Sequence, residues 1–253
     1  MNSYKKTVIF YFAIFIPLGE AKDLPSADDV GATEAATVVN PVSEWKSEAE
    51  LGVVSTSGNT NTSSVSARLD VTNDREKWRH NIHLEGYRSK SEGLVSAEKY
   101  QLSEKSDYKF NPHDYVFFRS DYEDDKFREF KYKSFSTGYG HRFLKGGNKT
   151  LDLELGPGIR ISQENSLPVE RENFLRMASK FVWELSASSR FMQEINVDRG
   201  EDLTISKSIT ALQVNVNKSL AMKLTHTIRH KSMVLPGLSS TDRETATTLV
   251  YLF

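Results

Sequence analysis

Trp45-Lys46-Ser47-Glu48-Ala49-Glu50-Leu51-Gly52-Val53 decides the fold. Its odd positions hold Trp, Ser, Ala, Leu and Val, and its even positions Lys, Glu, Glu and Gly. A helix would scatter these two sets around its circumference, whereas a strand turns successive side chains to opposite faces. The stretch reads as a strand with one apolar and one charged face. The next run repeats it, with Val65, Ala67, Leu69 and Val71 set between Ser64, Ser66, Arg68 and Asp70.

The period of two persists to the end of the chain. Trp78, Ile82 and Leu84 share a face, as do Tyr100, Leu102, Tyr108 and Phe110, where Glu104 interrupts and predicts a bulge. Val116, Phe118 and Tyr122 follow, then Phe135, Tyr139 and Phe143, and then the long stripe Leu151, Leu153, Leu155, Ile159 and Ile161. Leu175 to Leu185, Phe191 to Val197, Leu212 to Val216, Leu220 to Ile228 and Leu249 to Phe253 complete about twelve strands, an even number as single-chain bacterial barrels require. Short links at 73–77, 111–114, 144–149, 186–189 and 217–219 alternate with mostly longer ones at 57–61, 89–96, 123–131, 164–172, 198–202 and 232–242. Short periplasmic turns and longer outer loops have this asymmetry, which places both barrel ends of the chain in the periplasm.

Composition agrees. The 253 residues carry a formal net charge of −1, so no strongly basic surface points to nucleic acid. Charged residues make up 26% of the chain, yet a barrel spans a membrane with only every second residue facing lipid. Cysteine is absent, which excludes thiol catalysis, thiolate metal sites, disulfides and a lipid-anchored precursor. Lys5 and Lys6, the apolar run Thr7 to Leu18 and the small residues of Gly19-Glu20-Ala21 read as a secretory signal cleaved after Ala21. Residues 22–43, with Pro25 and Pro41, read as a periplasmic tail, and 44–253 as the barrel.

A soluble β-sandwich also alternates on one side. Against it stand the charge on the opposite face of nearly every strand and the aromatics near strand ends, which resemble interfacial girdles. The terminal Leu249-Val250-Tyr251-Leu252-Phe253 adds aromatics at the last and third-last positions. Tyr251 and Phe253 fit an assembly signal for an outer-membrane barrel. The expected class is therefore all-β, a single transmembrane antiparallel up-and-down barrel of a Gram-negative outer membrane. Its expected partners are outer-membrane lipid and lipopolysaccharide, with the barrel-assembly machinery and periplasmic chaperones during biogenesis.

Several stretches resemble one family. They are the Trp45 strand with Glu50-Leu51-Gly52, the turn from Ser55 to Thr62, Glu98-Lys99-Tyr100 and the Asp121-to-Phe127 segment. Gly138-Tyr139-Gly140, Gly156-Pro157-Gly158-Ile159-Arg160 and the closing Thr248-to-Phe253 stretch fit as well. Over about residues 45–253 they resemble the YdiY-like, or salt-induced outer-membrane, proteins, also called domain of unknown function 481. The resemblance implies an outer-membrane barrel of undefined activity, linked in some members to salt or acid stress. It supplies no catalytic residues.

On this register the lumen face includes Glu48, Glu50, Arg68, Arg79, Glu85, Arg119, Asp121, Glu154, Arg160, Arg176, Lys180, Arg190, Lys223 and Arg229. Rings of charge can line a pore and set its ion preference, or can pair across a twelve-stranded interior and plug it. With Lys46, Asp70, Asp152, Glu184 and Glu194 on the same face, ten basic residues slightly outnumber nine acidic ones, so any conductance should favour anions. Gly58, Asn59 and Thr60 read as hairpin turn chemistry. Gly138, Gly140, Gly156 and Gly158 fall at alternating inward positions of adjacent strands, which suggests a bend or a close backbone approach.

Glu123, Asp124, Asp125 and Glu129 cluster with Lys126, Arg128 and Lys131 in an outer loop, as solvated charge or a divalent-cation site bridging surface lipopolysaccharide. The six histidines (His80, His83, His113, His141, His226 and His230) show no metal-ligand spacing, so no metal and no cofactor is expected. The competing class is an outer-membrane enzyme, a lipid hydrolase or surface protease. It would need a nucleophile, base and orienting group together; strand register implies no Ser–His pair, and His141 is the least poor candidate base.

Overall fold

A computed structural model describes residues 44–56, 62–126, 130–144, 147–164, 168–234 and 239–253. The expected leader and tail over 1–43, and the Gly58, Asn59 and Thr60 turn, lie outside the described residues. Twelve strands account for almost all of the rest: β1 (Glu44–Thr56), β2 (Thr62–Asp74), β3 (Trp78–Ser91), β4 (Leu94–Lys109), β5 (Asp114–Asp125) and β6 (Phe130–Leu144), then β7 (Lys149–Glu164), β8 (Glu170–Ser186), β9 (Ser189–Gly200), β10 (Thr204–Asn215), β11 (Leu220–Lys231) and β12 (Thr241–Leu252). Each strand pairs antiparallel with its neighbours in sequence, and β1 closes on β12, so the sheet is a barrel. Strand pairing satisfies backbone N–H and C=O groups around the wall, as a strand in hydrocarbon needs, although β1 and β12 are laddered at four positions only.

The apolar face points out. Leu51, Leu84, Leu102, Phe118, Phe135, Leu155, Leu175, Ile195, Leu212 and Leu224 are all exposed. A soluble sandwich would turn such side chains into a core. At the end that carries the termini and the short turns, Trp45, Trp78, Phe110, Phe143, Trp183, Tyr251 and Phe253 form an exposed aromatic belt. Within it Trp78 meets Tyr108 edge-on at 5.0 Å, and Tyr251 stacks on Phe253 at 5.5 Å. Amphipathic rings at a membrane–water boundary have this placement.

The glycines of β6 and β7 mark a pinch in the wall. A Cβ on Gly138 would strike the Leu155 carbonyl and Gly156, and a Cβ on Gly156 would strike the Thr137 carbonyl and Gly138. Side chains are excluded there because the two backbones approach too closely to admit them. Gly140 and Gly158 do a related job, since the rings of Tyr115 and Phe174 lie where their side chains would be. The glycine strip thus gives two inward aromatics a flat wall to pack against.

Three expectations are corrected. The link at 89–96 is a two-residue turn, because β3 runs to Ser91 and β4 starts at Leu94. Glu92 (φ 51°) and Gly93 (φ 80°) both take positive φ there, as a tight type I′ hairpin requires. The loop-end strands continue in polar residues beyond the apolar band, where alternation of hydrophobicity no longer reports them. No bulge occurs at Glu104, which pairs with Ile82 and Ser120 in unbroken register. The register shifts of the wall lie at Ser89/Lys90, Arg142/Leu144 and Glu184/Ser186 instead. Finally, Glu123 is no loop residue: it lies in β5 and is buried, while Arg128 and Glu129 lie outside the described residues.

Candidate functional site: the barrel lumen

Inward positions follow from strand parity. Even residues of β1 and β2, odd residues of β3, β4 and β5, and even residues of β7, β8 and β9 turn to the interior, where they surround a cavity of about 660 Å³. Its lining includes Lys46, Thr150 and Arg190 near the turn end and Glu123, Phe130 and Lys231 near the loop end. Of the nineteen lumen residues expected from the sequence, seventeen border this cavity: Lys46, Glu48, Glu50, Arg68, Asp70, Arg79, Glu85, Arg119, Asp121, Asp152, Glu154, Arg176, Lys180, Arg190, Glu194, Lys223 and Arg229. Glu184 is exposed at the turn end, accepting from Arg190 at 2.8 Å, and does not border it; nor does Arg160. It points inward but is only 1% exposed, donating to Glu172 and to the Leu203 carbonyl with its guanidinium over the Phe174 ring. It belongs to the packed wall.

The charges are organised as opposite pairs. Arg142 grips Asp152 with two hydrogen bonds of 2.6 and 2.7 Å, the bidentate arrangement that a guanidinium favours with a carboxylate. Beside it Arg79 donates to the fully buried Asp107 at 2.7 Å, and Lys105 reaches both Asp107 and Glu154. Tyr115 donates to Glu154 at 2.8 Å, with Arg79 and Lys105 each 5.2 Å from its ring centre. Higher up, Arg119 holds Asp121, which also accepts from Ser103 at 2.6 Å, and Arg176 donates to Asp198 at 3.0 Å. Arg229 donates to both oxygens of Glu123 at 3.0 Å. Lys180 stands directly across from Glu194 in the ladder.

Part of this pairing lies along the wall, but Lys105 of β4 reaches Glu154 of β7, and Arg229 of β11 meets Glu123 of β5 six strands away, so an ion pair bridges the lumen. The β5–β8 side is filled by Phe117, Tyr115 and Phe174, all buried, whereas the β10–β11 side presents shorter groups such as Ile209, Ala211, Thr225 and Thr227. The lining counts fourteen Lys and Arg against thirteen Asp and Glu. The field along such a lumen is close to neutral on average, so the anion preference expected from the sequence shrinks to a slight one.

Several inward residues escaped the sequence. Tyr115 and Phe117 alternate with the outward Val116 and Phe118, so β5 is apolar on both faces there. Ile205 and Ile209 line the cavity beside Lys207, and again parity alone gave no contrast. The partners Lys105, Asp107 and Glu244 sit at inward parity, and that signal was available to find them.

The outward face carries a Ser–His pair that was not expected. His80 Nδ1 lies 2.8 Å from Ser106 Oγ, directly across the β3–β4 ladder. Ser106 spends its proton on Glu104 Oε1 at 2.5 Å, so its oxygen accepts from the imidazole, opposite to what a general base would require. His141 Nδ1 meets Asp114 at 2.6 Å. Among the described residues no group of three or more His, Asp or Glu is placed to hold a metal ion.

Comparison with known proteins agrees with this architecture. The chain is 25% identical over 228 residues to the uncharacterized protein YdiY of Escherichia coli (strain K12), covering 89% of this chain and 90% of that protein. In fold it is similar to the NanC porin, with a TM-score of 0.53 at 8% identity over 83% of this chain and 100% of that one. The translocator domain of the autotransporter NalP from Neisseria meningitidis gives a TM-score of 0.48 at 10% identity, over 85% and 90% of the two chains. The family model described as "Protein of unknown function, DUF481" matches residues 49–253, and the chain belongs to that family.

Proposed function

We propose that the protein is a non-enzymatic pore of the outer membrane, passing small hydrophilic solutes with little preference for the sign of their charge. One observation carries this: the cavity of about 660 Å³ is lined by residues from both ends of the barrel. A lumen plugged by its own ion pairs would leave small, separate voids instead. The near balance of fourteen basic and thirteen acidic lining residues supports weak selectivity. The termini and short turns then face the periplasm, after export by a leader over residues 1–21 cleaved behind Ala21. Lipid and lipopolysaccharide surround the apolar belt, and Tyr251 and Phe253 serve the assembly machinery and its chaperones as the recognition signal. A pore of this bore equilibrates small osmolytes, which is the chemistry an osmotic-stress role needs.

The test is swelling of vesicles that contain the refolded barrel, in isosmotic sugars of increasing size. Monosaccharides should cause swelling and tetrasaccharides should not. Vesicles that swell in none of them would overturn the pore.

A further inference from the structure

The wall is not uniformly sewn. Eleven neighbouring strand pairs are laddered over most of their length, but β1 and β12 pair at only four positions, from Glu48↔Leu252 to Leu51↔Leu249. Ser47 and Phe253 extend this by two backbone hydrogen bonds of 2.9 and 3.0 Å at the turn end. Above Leu51 the ladder stops: Gly52 and Val53 pair only with β2, and Thr247 and Thr248 only with β11. Two strand edges therefore face each other across the loop half of the seam, within the apolar belt. Backbone groups without partners are costly in hydrocarbon. They are tolerable where polar groups or water can reach them.

Side chains take over where the ladder ends. On the lumen side Glu50 of β1 accepts from Lys223 of β11 at 2.5 Å and from Thr248 of β12 at 3.1 Å. Arg68 of β2 reaches behind β1 to Glu244 of β12 at 3.2 Å. These contacts clasp the seam, and just above the last laddered pair the buried Thr248 packs beside Gly52. On the outer side the belt is not apolar here: Thr245 and Thr247 are exposed, and His226 lies 2.8 Å from Thr245. The seam thus joins a polar strip facing the lipid to a lumen that offers one cation and one anion at the same height.

We propose that the loop half of the β1–β12 seam is a lateral portal, through which the zwitterionic head of a single-chain amphiphile passes between the surrounding leaflet and the lumen. Its tail stays among the lipids, while the head exchanges water for Thr245 and Thr247, and then for Arg68 and Glu244. An amphiphile is chosen because the unladdered stretch faces the belt and the polar groups flanking it on the lumen side carry both signs. The portal relies on the pore reading only for a hydrated lumen behind the seam.

The chain has no cysteine, so Val53→Cys with Thr247→Cys, the next outward pair above Leu51↔Leu249, creates a single staple across the seam. The probe is a lysophosphatidylcholine with a photoreactive choline head, in phosphatidylcholine vesicles that contain the barrel. On illumination, wild-type barrels should be labelled on the lumen-facing segments around Arg68 and Glu244, as mapped by peptide mass. The oxidised staple should lose that labelling, and reduction should restore it. Unchanged labelling in the oxidised staple, or no wild-type labelling of those segments, overturns the portal. Heat-modifiable gel mobility reports whether the stapled barrel folds. If it does not, Glu244→Gln decides: increased labelling around Arg68 supports the portal, and unchanged labelling overturns it. Sugar swelling separates the two claims, since a wild-type barrel that swells but is not labelled in the lumen overturns the portal and keeps the pore.

Discussion

An arginine placed on the outward stripe of β7 should cost stability according to its height. β-Strands rise about 3.3 Å per residue, and barrel strands tilt about 40°, so each residue climbs about 2.5 Å along the barrel axis. The outward stripe from Leu151 to Ile161 then spans about 25 Å, the height of the apolar band of an outer-membrane barrel. Leu155, 53% exposed, stands about 10 Å above Leu151 and about 15 Å below Ile161, close to the midplane. Leu155→Arg should therefore destabilise the barrel by about 2–4 kcal/mol, and Ile161→Arg by about 0–1 kcal/mol. With an m-value of about 2 kcal/mol/M, the two urea midpoints should differ by about 1 M. The assay is reversible folding into phospholipid vesicles, followed by tryptophan fluorescence and gel mobility. Equal midpoints for the two variants would falsify the placement of β7 in the belt.

Other outcomes follow from particular contacts. Gly156→Ala forces a Cβ against the Thr137 carbonyl and Gly138, and should cost about 1–3 kcal/mol in the same assay, whereas Gly93→Asn meets no neighbour but must hold φ 80°, and should cost roughly 1 kcal/mol or less. Arg160→Met strips Glu172 of its cation inside the wall and should cost on the order of 3 kcal/mol. Because Arg160 does not border the cavity, sugar swelling per folded barrel should stay at the wild-type rate. Glu104→Leu removes a carboxylate from the outward face between Leu102 and Ser106 and should stabilise the barrel by roughly 1 kcal/mol, read as a higher urea midpoint.

How much of this was legible in the sequence depended on contrast between the two faces of a strand. Where one face is apolar and the other charged, as along Trp45 to Val53 or Leu151 to Ile161, parity alone placed the residues. Seventeen of the nineteen expected lumen residues border the cavity for that reason. Where both faces are apolar, as in Tyr115-Val116-Phe117-Phe118, the inward rings were invisible, and with them the packed side of the lumen. Polar strand ends escaped for the opposite reason, so the Glu92-Gly93 hairpin looked like a long loop. Register was out of reach as well. Nothing in the sequence says that Ser106 stands opposite His80, or that the β1–β12 ladder stops at Leu51. Those facts depend on the stagger of twelve strands closing on themselves, a property of the whole barrel that no local pattern encodes.

If the charged interior is a pore, a path must run beside the Arg229–Glu123 pair that bridges it. Single-channel recording of the refolded barrel in a planar bilayer tests it most directly. Discrete, small current steps are expected, with a reversal potential near zero in a salt gradient, as a lining of fourteen basic and thirteen acidic residues implies. A folded barrel that inserts into the bilayer and passes no discrete current would contradict it.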